Sequence, residues 1–204
     1  MHLLRSLVIP VSLATLLLAG CHVSTHKDGK NENVDIGTPF GSMQVKTNGK
    51  GDTTAIGIAA YPGATLVSNN GKDSDEGSAD INMNFGSFHL GVKAASYQTS
   101  DPQSKVEAFY RKDLARYGDV IECRDNSPVG QPTRTSQGLT CDSKHGNHIH
   151  EDDSNSGLEL RTGSEQHQHI VGIEAKDGGT KIGMVALDLP SGLGSHDSKD
   201  SDSE

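Results

Sequence analysis

The stretch DPQSKVEAFYRKDLARYG, residues 101–118, decides the fold class. Val106, Phe109, Tyr110, Leu114 and Tyr117 recur at helical spacing as one apolar stripe, while Lys105, Arg111, Lys112 and Asp113 fall off it. A helix with a single apolar stripe needs a surface to cover, and here that surface has to be a sheet. Two starts are open: Asp101 as the cap with Pro102 at the first helical position, or a capping box from Ser100 and Gln103. Gly118 supplies the stop.

On either side the chain reads as strands. Ile81, Met83 and Phe85 alternate in one parity and Phe88, Leu90 and Val92 in the other, with Gly86-Ser87 between them. A two-residue loop pairs 85 with 88, 83 with 90 and 81 with 92, all on one face; a bulge in one long strand would also reset the parity. Upstream, Val34–Thr47 reads as two short strands or a bent edge strand around Pro39 and Gly41, and Tyr61–Val67 as an extended lead into a polar loop. Downstream, Asp119–Cys123 and Gly138–Asp142 read as short strands joined by a proline-rich loop. Gly157–Thr162, His167–Lys176 and Lys181–Leu189 form a meander. With Gly178-Gly179 as its turn, Ala175 faces Ile182, Ile173 faces Met184 and Val171 faces Ala186, and Leu158 and Leu160 join that face if the preceding loop has an even count. The expected fold is α+β: an antiparallel sheet of short strands and hairpins with one amphipathic helix packed on it.

Composition agrees. A chain of 204 residues with 32% apolar residues, 24 glycines and no tryptophan suits a loop-rich β or α+β domain better than a helical bundle. Its net charge of −9, without a cluster of Lys and Arg, excludes nucleic acid as the main partner.

Residues 1–20 read as an export signal: Arg5 in a short basic start, then an apolar run from Leu7 to Ala19. The tetrad Leu18, Ala19, Gly20, Cys21 resembles the lipobox of bacterial lipoprotein precursors. That resemblance implies cleavage before Cys21, a diacylglycerol on its thiol and acylation of the new amine, so that two or three chains anchor the protein. His22 rather than Asp follows the cysteine, which in enteric-type bacteria implies the outer membrane, on its periplasmic face, rather than the inner membrane. A secretory peptide cut elsewhere is the rival reading. Residues 21–33 are expected as the lipidated cysteine and a flexible tether, 34–190 as a single domain, and 191–204 as a disordered acidic tail.

From Tyr61 to about Cys141 the chain resembles a small module of bacterial exported proteins. It is carried by Tyr61-Pro62-Gly63-Ala64 and then by Thr99, Ser100, Asp101, Lys105, Val106, Phe109, Tyr110, Leu114, Tyr117 and Gly118. The resemblance implies a fold and no activity. With Cys21 lipidated, an exported chain is left with Cys123 and Cys141, whose pairing is the natural expectation in an oxidising compartment. A redox-active pair would want a C-x-x-C spacing.

Candidate chemistry sits in the histidines. His145, His148 and His150 share a loop with Glu151, Asp152 and Asp153, and His167 and His169 begin a strand. The expected register places Asp188 opposite His169, with His167 one pleat beyond, a set suited to a weak zinc, nickel or copper site that His148 or His150 joins. Against it stand the bland reading, wet residues at a sheet edge, and the absence of an H-E-x-x-H spacing. Asp152, Ser154, Ser156 and Gly157 mimic a calcium loop, but its twelfth position is Gly163. No G-x-S-x-G elbow is present. The four tyrosines either line a ligand groove or belong to the core, as the stripe requires of Tyr110 and Tyr117. Two function classes follow: a non-enzymatic binding or structural lipoprotein that meets the membrane through lipid and an envelope protein or small ligand as partner, or a metal-binding protein or metal-dependent hydrolase built on the histidines.

Overall fold

The structure, a computed structural model, describes residues 21–29, 31–47, 56–67, 77–141, 157–176 and 178–190. Residues 1–20, expected as an export signal with a lipobox, His148 and His150, and residues 191–204, expected as an acidic tail, lie outside the described residues.

The protein is an α+β structure in which one helix covers part of one face of a long antiparallel sheet. The strands are β1 (His22–Asp28), β2 (Asn31–Thr38), β3 (Gly41–Thr47), β4 (Thr65–Leu66), β5 (Ser78–Phe85), β6 (Phe88–Thr99), β7 (Ile121–Arg124), β8 (Ser127–Pro128), β9 (Leu158–Gly163), β10 (His167–Lys176) and β11 (Gly179–Asp188), with α1 (Gln103–Leu114) between β6 and β7. Their spatial order is β1-β2-β3-β5-β6-β11-β10-β9-β7-β8, and β4 pairs with the far end of β6. Long β6 is the hinge of the topology, holding the N-terminal meander on one side and β11 on the other.

The β5–β6 hairpin has the expected register, Phe85 with Phe88, Met83 with Leu90 and Ile81 with Val92. Val34–Thr47 resolves into two strands around a turn at Pro39-Phe40, where Thr38 Oγ1 accepts from the Gly41 amide at 3.0 Å. Three expectations need correction. Residues 22–33, expected as a tether, lie largely in the β1–β2 hairpin, because ladder hydrogen bonds to β2 order a strand that buries nothing. Residues 138–141 make only isolated bridges, Gly138 to Ser164 and Thr140 to Arg134, instead of a strand. The β10–β11 register also differs from the expected one by two residues: Lys176 pairs with Gly179 and Ile173 with Ile182. A Cβ on Gly179 would come within 1.9 Å of the Thr99 carbonyl oxygen. Gly179 is therefore a ladder position pressed on β6, and the turn moves one residue upstream.

The stripe behaves as expected: Val106, Tyr110 and Leu114 are fully buried, and Phe109 and Tyr117 partly so. They pack on Leu160, Val171, Ile173, Ile182, Met184, Ala95 and Tyr97. Neither expected cap forms. Asp101 instead accepts from the Tyr61 hydroxyl at 2.7 Å and pairs with Lys105 at 3.0 Å, which holds its carboxyl below the usual range. This bond ties the turn at Tyr61–Ala64, closed by the Ala64 amide on the Tyr61 carbonyl, to the start of α1. On the other face, Cys123 and Cys141 form a disulfide with Cα atoms 5.5 Å apart, in a second cluster with Ile121 and Leu139.

Candidate functional site

The helix layer stops before the sheet does. Under α1 the row Leu160, Val171, Met184, Ala95 is buried. One pleat further on, the same face turns polar: Thr162, His169, Ala186, Lys93, Asp80, Lys46 and Asn33 form the next row, and His167, Asp188, Gly91, Asn82, Gln44 and Asp35 a further one. This follows from strand parity alone, since the odd residues of β6 that lie under the helix at Ala95 and Tyr97 continue outward as Lys93 and Gly91. The result is a step, with a helix end as its wall and a polar shelf of sheet as its floor.

His169 stands at the foot of the wall. Its ring stacks on Tyr117 with centroids 3.9 Å apart and planes 14° apart. Tyr117 follows α1 in a short 3₁₀ turn, Ala115–Tyr117, and its hydroxyl donates to the Gly57 carbonyl, as does Arg116. The 56–59 segment is held to the same wall by the Ala59 amide, which donates to Asp113 at 3.1 Å. Burial pushes the His169 imidazole below the ordinary histidine value; Arg116 acts in the same sense, and the Asp188 and Asp113 carboxylates oppose it. Its cross-strand neighbour Thr162 is fully buried, with an Oγ1 that has no hydrogen-bond partner among the described residues.

On the shelf, His167 Nδ1 lies 2.8 Å from Asp188 Oδ1, both side chains well exposed. Asp188 leans over Gly91, where a Cβ would sit 3.3 Å from its own. Polar side chains pair along the strands beyond: Gln44 with Asp35, Asn82 Nδ2 with Asp80 Oδ1 at 2.6 Å, and His89 with Asn84 at 2.5 Å.

Of the expected histidine set, the structure brings His167 and Asp188 together and leaves His169 two residues along the same face, turned to Tyr117. Asp188 is opposite His167 and not His169, a consequence of the two-residue change in register. Among the described residues, no group of three or more His, Cys, Asp or Glu side chains is placed to hold a metal ion. Tyr61, Tyr97 and Tyr110 are core residues, so a tyrosine-lined groove does not form around them. Sequence reading missed Lys93, Arg116 and the Gly57 carbonyl. Only Lys93 carried a signal, its parity with Ala95 and Tyr97. A recess of about 220 Å³ opens at the far end of β1–β3 between His26, Asn33 and Lys46, among solvated side chains of both charge signs.

No known protein family, characterised protein or solved structure matches the chain. The site is therefore read from its own chemistry.

Proposed function

We propose that the chain is a lipid-anchored cell-envelope protein, on the periplasmic face of the outer membrane, that binds an envelope partner or small polar ligand without turning it over. The observation that carries the anchoring is Cys21, which is exposed and stands one residue before edge strand β1, after the Leu-Ala-Gly motif of the sequence. Binding is supported by the shelf beside α1. Its carboxamides, carboxylates and imidazoles are planar hydrogen-bonding groups fixed on rigid strands, next to a stacked His169–Tyr117 pair. Mass spectrometry of the mature N-terminal peptide tests the anchor. The expected result is a Cys21 carrying two or three acyl chains, and a Cys21→Ser protein that stays unprocessed or leaves the membrane fraction. A Cys21→Ser protein cleaved and membrane-bound like the parent would refute the anchor.

A second reading, a weak zinc, nickel or copper site, is favoured by the His167–Asp188 contact. A carboxylate that accepts from one imidazole nitrogen fixes the tautomer and presents the other nitrogen to a ligand. Zinc titrated into tag-free protein should give heat that a His167→Ala, His169→Ala double variant loses. Equal heats for both proteins would leave the pair as a surface ion contact.

A further inference from the structure

The other face of the same half-sheet has a different character. Strand parity brings Val34, Val45, Ile81, Val92 and Leu187 into one row and Val23, Ile36, Met43, Met83 and Leu90 into the next, with Phe85 beside Phe88 at the end. All of these side chains are half-buried or exposed, with Val23 63%, Phe85 39% and Phe88 36% exposed. The helix lies on the opposite face. Between Thr25 at one corner and Phe88 at the other, these rows hold no Asp, Glu, Lys or Arg, although 22% of the chain is charged. Asp35, Lys46, Asp80 and Lys93 of these strands point to the polar shelf. The first charges on the apolar side are Lys27 and Glu32, paired at 3.0 Å at the end remote from the phenylalanines.

We infer that this apolar face is a membrane-contact surface on which the half-sheet lies against the phospholipid bilayer. The inference rests on the lipid-anchor reading for its choice of occupant. Cys21 precedes His22, which pairs with Gly37, so it sits at the end of the sheet that carries the Thr38–Gly41 and Phe85–Phe88 turns. Acyl chains on Cys21 would leave the sheet at the corner of the apolar face, beside Phe40, which is 85% exposed and projects past the strand ends. Dimensions agree. Four strand spacings from β1 to β6 give a width of about 19 Å, and four residues from Ile81 to Phe85 a length of about 14 Å. An amphipathic surface of that size seats itself about 5–10 Å into the headgroup boundary. Because the face is uncharged, neutral phosphatidylcholine suffices as the lipid. In this pose the polar shelf with His167, His169 and Asp188 faces away from the membrane, open to a water-borne ligand.

The chain has no tryptophan, so single substitutions report one position each. Full-length protein carrying Met83→Trp, Phe85→Trp, Asn82→Trp or Asn84→Trp, reconstituted in phosphatidylcholine vesicles with brominated acyl chains, reads the contact residue by residue. Successive strand residues face opposite ways, so tryptophan at 83 and 85 should be quenched by at least about twofold and at 82 and 84 not at all. Phe88→Trp on the partner strand repeats the test should a β5 variant misfold. Unquenched emission at 83, 85 and 88 overturns the inference, whether it is water-like or is already shielded without vesicles by a second copy of the chain or another protein. The mass of the N-terminal peptide in the same sample reports Cys21 separately. Quenching with an unmodified Cys21 removes the anchor and keeps the surface, and an acylated Cys21 without quenching does the reverse.

Discussion

Replacing Tyr110 by alanine should lower the unfolding free energy by about 3–5 kcal/mol, the cost of emptying an aromatic site that cannot collapse. Tyr110 is 0% exposed and lies at the centre of the stripe, edge-on to Phe109 with ring centroids 5.0 Å apart and 6.4 Å from the Tyr61 ring. Burial raises its hydroxyl well above the usual tyrosine range. That hydroxyl points at Met184 Sδ at 3.5 Å, a weak acceptor. Tyr110→Phe should therefore cost only about 1 kcal/mol, and the contrast between the two variants assigns the stability to the ring. Urea unfolding followed by far-UV circular dichroism measures both. A Tyr110→Ala midpoint equal to that of Tyr110→Phe would mean that α1 does not hold the sheet.

The second large effect is expected at the opposite face. The Cys123–Cys141 disulfide closes a sequence separation of 18 residues, for which loop-closure entropy gives roughly 3 kcal/mol, and loss of a native bridge typically costs about 2–5 kcal/mol. The bridge is more than a crosslink here. Leu139 and Cys141 are the cover over Ile121, and the Cys141 carbonyl accepts from buried Arg161 at 3.3 Å. Freeing residues 129–141 would expose the cluster and uncover the guanidinium that Glu159 pairs with. A Cys123→Ser, Cys141→Ser variant should thus unfold at clearly lower urea than the parent, and a reductant should shift the parent but not the variant. Coincident curves with and without reductant would show that the loop holds its place unaided.

Much of the architecture was legible because it depends on local alternation. The α1 stripe, the common face of the β5–β6 hairpin and the meander all follow from which neighbours in the chain share a parity, and a burial pattern with period 3.6 or 2 is written within a few residues. The disulfide was expected from the export reading and from there being two cysteines besides Cys21. Helix capping was less legible: Asp101 is a good cap by type, but Tyr61, 40 residues away, takes its carboxylate.

What the sequence by itself determined is which faces are apolar and which polar, and so the α+β class and the stripe; the cysteine count pointed separately to the pairing of Cys123 with Cys141. Only the tertiary structure decided how those faces are set against one another. The β10–β11 register shows the reason: a shift of two residues preserves parity, so no local pattern detects it, and the choice falls to Gly179, whose missing Cβ lets it lie against Thr99 of a strand some 80 residues earlier. That shift moves Asp188 from His169 to His167. Likewise, β1 has almost no apolar content and becomes a strand only because β2 offers it a free ladder. The step between helix and shelf exists because α1 ends before the strands beneath it do, a comparison between elements that no single segment contains.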